Sequence, residues 1–174
     1  MKTTLLTTTA IFLMILAFSF KFEFAPKKGF KKVELDQSIK IINLTSYRYL
    51  DTIASVAAKS LRVKDVTIII TDIPGEYLYE NALLAYTEKI DDIYYIRMRY
   101  DYGVYLGCLI SCHEMIHLSQ MYFGRLFITN DGFIFDNEFI PFTSNYEDRK
   151  FEAEAFMYEM SLKYEVDSIL SHDY

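Results

Sequence analysis

The residues with the clearest capacity for chemistry are His113-Glu114-Met115-Ile116-His117. The chain has 3 histidines, and two of them stand here, four residues apart. On a helix, positions i and i+4 share one face, one turn apart, so both imidazoles can aim a nitrogen at a single point. Nitrogen ligands of this kind suit Zn²⁺, at about 2.0–2.1 Å. Glu114 lies about 100° around the helix from His113. That offset removes it from the ligand set and leaves it within reach of a water. A zinc ion lowers the pKa of such a water to about 7, and a nearby carboxylate can take the proton. The flanking Leu106, Leu109, Ile110, Cys112, Met115, Ile116, Leu118 and Met121 are apolar almost all round. A helix this apolar is buried, and a buried helix holds two His and a Glu only where they have partners.

A catalytic zinc site normally has three protein ligands and one open position. The metzincin arrangement would put a Gly and a third His where this chain has Gln120 and Phe123. The sequence instead resembles the gluzincins, thermolysin-like zinc metallopeptidases whose third ligand is a Glu on a later helix. The segment that carries the resemblance is Arg149-Lys150-Phe151-Glu152-Ala153-Glu154-Ala155-Phe156. Its Glu-x-Glu-Ala pattern is similar to a gluzincin glutamate helix, which implies Glu152 as the metal ligand. Glu152 and Glu154 lie about 200° apart on a helix, so only one can face the ion. Glu154, Glu147 and Glu159 are the rival acids. Gln120, three residues after His117, is similar to a His-Glu-x-x-His-x-x-Gln variant of small bacterial gluzincin-like proteins. The resemblance implies hydrolysis of peptide bonds with Glu114 as the base. It also implies an oxyanion donor, for which Tyr146 and His172 are the candidates.

These residues need a scaffold. Tyr47–Leu61 has apolar residues at a helical period. Asp65–Thr71 is a β-branched strand, followed by a turn at Asp72–Gly75. Ala82–Thr87 and Ile93–Arg99 read as strands joined by a hairpin loop at Glu88–Asp92. Val104–Phe123 is the motif helix. Leu126–Phe142 reads as a further hairpin or irregular loop around Asn130-Asp131-Gly132, and Arg149–Val166 as a final helix. The expected fold is α+β and zincin-like. A small, mostly antiparallel sheet packs on the motif helix and the glutamate helix. By the same resemblance, Ala82–Thr87 is the sheet edge on which an extended peptide pairs, with Ile93–Arg99 as its inner neighbour. Small Ala155 lets the glutamate helix approach the motif helix closely.

The first 24 residues stand apart. Leu5–Phe20 is apolar except for Thr7, Thr8, Thr9 and Ser19, and Lys2 precedes it. Its length lies between that of an export signal and a membrane span. Residues 1–24 are therefore a cleaved signal peptide or an uncleaved anchor, 25–40 a linker, and 41–174 the catalytic domain. Residues 1–32 hold six lysines against Glu23, a balance of 6 − 1 = +5. Residues 33–174 hold 18 − 6 = 12 basic and 24 − 1 = 23 acidic groups, or −11. So acidic a body argues against binding nucleic acid through its phosphates. Cys108 and Cys112, four apart on one helix, have poor disulfide geometry and are expected as free, buried thiols. The expected partners are a peptide or protein substrate and, through the N-terminal segment, a membrane. The alternative is a membrane-tethered zinc- or partner-binding protein on the same scaffold, without turnover.

Overall fold

In a computed structural model of the chain, residues 38–73, 84–99 and 103–172 are described. They lie within one compact unit, Lys31–Tyr174. The apolar N-terminal segment lies outside the described residues, and among those described no helix is long and apolar enough to cross a membrane.

The chain is α+β. Its main sheet has four strands, β1 (Ile39–Asn43), β2 (Val66–Asp72), β3 (Ala85–Ile90) and β4 (Ile93–Met98), in the order β1-β2-β4-β3. The sheet is mixed, where a mostly antiparallel one was expected. β1 pairs with β2 and β2 with β4 in parallel; β3 and β4 alone are antiparallel. Helix α1 (Tyr49–Ser60) is the reason. It connects β1 to β2, and a helical crossover returns the chain in the same direction. Its buried Leu50, Ile53, Ala54, Ala57 and Ala58 repeat at helical spacing.

The hairpin is tighter than the sequence suggests. Glu88, Lys89 and Ile90 continue β3, and the turn shrinks to Asp91–Asp92. Asp91 takes φ 53°, a left-handed angle that Asp tolerates better than most residues. The charges of the expected loop sit on strand positions instead, where Glu88 accepts from Arg97 Nε at 2.7 Å.

Helix α2 (Gly103–Tyr122) carries the His-Glu-x-x-His motif and packs on β3, β4 and α1. From Gly107 to Met121 nearly every residue is buried, as its all-round apolarity requires. Gly124, at φ 68°, ends it. Its N–H donates to the Met121 carbonyl and that of Arg125 to the Gln120 carbonyl, the helix-stop pattern a left-handed glycine permits. Leu126–Phe142 then forms an antiparallel meander, β5 (Leu126–Ile128), β6 (Gly132–Phe135) and β7 (Glu138–Pro141). The β6–β7 turn is Asp136–Asn137, both at positive φ, as a two-residue hairpin turn needs. Gly132 is required by close approach, since a Cβ there would meet the Ile140 carbonyl oxygen at 2.3 Å.

A short 3-10 turn (Tyr146–Asp148) leads into α3 (Lys150–His172), which runs six residues past the expected end at Val166. The added turn is held by Ile169, which packs on the core. α3 packs along α2, with Ala155 fully buried. Cys108 and Cys112 are free and buried.

Candidate metal centre

The site forms where α2 and the first turns of α3 meet. His113 and His117 project from α2 and Glu152 from α3, and the three ligand atoms form one cluster. Their Nε2 atoms are 3.0 Å apart, and each lies 3.2 Å from Glu152 Oε2. Around a tetrahedral zinc with bonds of about 2.0–2.2 Å, ligand atoms stand about 3.3–3.5 Å apart. The observed triangle is close to one face of such a tetrahedron.

The far side of each imidazole explains why these atoms face inward. His113 Nδ1–H donates to Glu159 Oε2 at 2.8 Å, and His117 Nδ1–H donates to Gln120 Oε1 at 2.9 Å. A neutral imidazole with its proton on Nδ1 has a lone pair on Nε2. Two such lone pairs and a carboxylate oxygen would then converge, an arrangement relieved by protons on the imidazoles or by a metal ion among them. The donor set of two nitrogens and one oxygen fits zinc.

The local electrostatics agree. Burial disfavours charge on His113, yet the hydrogen bonds to Glu152 and Glu159 prevail and hold its pKa up at about 9. Burial also opposes charge on His117, and the Glu152 carboxylate again outweighs it and raises the pKa. Burial pushes the Glu152 carboxyl upward, but the two histidines pull it well below the usual carboxylate range. The pocket is thus built for a negative oxygen beside positive charge.

Glu114 stands apart from this cluster, 4% exposed. Burial raises its pKa, while His117 and His113 partly offset the shift. Its Oε2 accepts from the Thr87 hydroxyl at 2.8 Å. Thr87 is the third residue of β3, the edge strand, so the sheet edge and the buried carboxylate touch directly.

Of the rival acids, Glu159 and Glu154 take supporting places. Glu159 orients His113. Glu154 accepts both Arg125 Nη atoms at 2.7 Å and Gln120 Nε2 at 3.2 Å. Glu147 lies in the short 3-10 turn, outside the ligand cluster. Tyr146, an oxyanion candidate, donates instead to Glu152 Oε2 at 2.7 Å. Burial and the Glu152 carboxylate raise its pKa, so it remains a donor. The His172 side chain lies outside the described residues. Aromatic rings wall the site. Phe156 lies 4.8 Å from the His113 ring and Phe151 5.7 Å from the His117 ring, between centroids. Sequence reasoning misses Thr87, Phe151 and the supporting part of Glu159.

Comparison with protein-family models, curated proteins and solved structures finds no match.

Proposed function

We propose that this protein is a zinc-dependent peptidase of the gluzincin kind with a zincin-like fold, held at a membrane or exported by its N-terminal apolar segment. The observation that carries the reading is the convergence of His113 Nε2, His117 Nε2 and Glu152 Oε2 within 3.2 Å, with a buried carboxylate one residue along the same helix. His113, His117 and Glu152 hold the ion. When bound, zinc supplies Lewis acidity and makes water a usable nucleophile near neutral pH.

The protein's own groups do the rest. Glu114 accepts a proton from the attacking water and returns it to the leaving amine nitrogen, a task suited to a carboxyl whose pKa burial has raised. The Thr87 hydroxyl fixes the carboxylate that moves this proton. Tyr146 holds Glu152 from the open side. β3 is an edge strand of the sheet among the described residues, and an extended peptide would add there, the usual way a strand joins a sheet.

The test uses the full-length chain in detergent. One zinc per chain by elemental analysis and turnover of a mixed peptide library are expected, and Glu114→Gln should keep the zinc and lose the turnover. Zinc retained without turnover in the wild type would favour the tethered binding protein instead. A chain that takes up no metal would sink the reading.

A further inference from the structure

Glu154 is the acid that the sequence offers as an alternative ligand, and its surroundings give it a different task. Gly124 turns the chain at the end of α2 so that Arg125 faces back toward α3. There its guanidinium makes a two-point contact with Glu154, at 2.7 and 2.7 Å, and a second with Asp136 in the β6–β7 turn, at 2.8 and 2.7 Å. Glu154 is thereby held in place against the Nε2 end of Gln120. Gln120 is 1% exposed and cannot turn to water.

An amide has two unlike ends. Glu154 Oε1 and the Phe151 carbonyl both accept, so both require the Nε2 end of Gln120, at 3.2 and 3.1 Å. The Oε1 end is then forced toward His117 Nδ1, which must donate to it. Only with the proton on Nδ1 does Nε2 present a lone pair to a metal. We propose that Glu154, clamped by Arg125, orients the Gln120 amide and through it fixes the tautomer of His117, which makes Glu154 a positioning residue for the metal centre. The inference rests on the zinc reading above.

Removing the amide at position 120 removes what Glu154 acts through, which gives the test. Zn²⁺ is titrated against a competing chelator into the metal-free full-length chain. Glu154→Gln should weaken affinity about 10-fold, at the low end of what supporting residues of metal ligands contribute. In a Gln120→Ala background, with no amide left to orient, the same change should alter affinity less than about twofold. A purely electrostatic effect of removing the Glu154 charge would be equal in both backgrounds and would overturn the proposal, as would no loss in either. Nitrogen-15 side-chain spectra of the metal-free chain supply a second readout. His117 should report a protonated Nδ1 in the wild type and lose the narrow Nδ1–H signal in Glu154→Gln, while His113 keeps its own. An unchanged His117 signal would overturn the inference. A wild-type chain without zinc uptake would overturn the proposed function together with it; uptake that ignores Glu154 would overturn this inference alone.

Discussion

Thr87→Val removes a single hydroxyl and keeps the shape of the side chain. The residue it affects is the buried Glu114, whose Oε2 receives that hydroxyl at 2.8 Å from the third residue of β3. Thr87 is itself 5% exposed, so water does not replace the lost donor without opening the strand. A hydrogen bond to a charged group contributes about 1.5–3 kcal/mol, and one between neutral groups about 0.5–1.5 kcal/mol. For a chain of this length about 2–4 °C of melting temperature corresponds to each kcal/mol, so Thr87→Val should melt about 3–12 °C lower. The informative comparison is a double-mutant cycle with Glu114→Gln, followed by thermal melts of the full-length chain. Against the neutral amide, Thr87→Val should lower stability by no more than about 1.5 kcal/mol. Thr87→Ser should restore most of the wild-type value. If Thr87→Val melts within about 1 °C of the wild type, or shifts equally in both backgrounds, the hydroxyl is not what supports the carboxylate.

Two further outcomes follow from the geometry. Zinc at a hundred times its dissociation constant should add about 2.7 kcal/mol to stability, and a chelator should return the melting temperature to that of Glu152→Ala; calorimetry with and without chelator checks both. Phe151 is 3% exposed and joins His117 to Phe133 and Phe135 of the meander, at ring separations of 5.7, 4.7 and 6.1 Å. Phe151→Ala should destabilise the chain by about 3–5 kcal/mol in urea titrations, and a loss under 1 kcal/mol would show that the meander does not brace the site through this ring.

What the sequence discloses depends on whether a feature is local. The motif helix is legible because both its signals, all-round apolarity and the i, i+4 histidines, lie within a few turns of one element. Glu152 is legible through the pattern around it, and the structure brings it onto the two histidines. β1 is not, because Ile39–Asn43 is five residues long and follows a basic stretch, and its pairing with β2 is decided by a partner more than twenty residues away. The end of β3 is hidden for the opposite reason. Glu88 and Lys89 look like loop residues, yet Glu88 gains an ion pair with Arg97 across the hairpin. The meander had a usable signal in Asp136-Asn137, two residues that tolerate positive φ. Gln120, Glu154 and Arg125 share a network that exists only once α3 lies along α2, so nothing in their spacing announces it.

Among the described residues β3 stands at the edge of the sheet, and an edge position carries a liability as well as an opportunity. An unpaired strand edge accepts any extended chain, including another copy of itself, and proteins usually keep such edges short and charged. β3 is six residues long and carries Glu88 and Lys89, which fits that restraint. The same strand holds the Glu114 carboxylate through Thr87. A shift of β3 would therefore move the donor on which the buried Glu114 carboxylate rests, which ties the position of the edge strand to that of the acid beneath it.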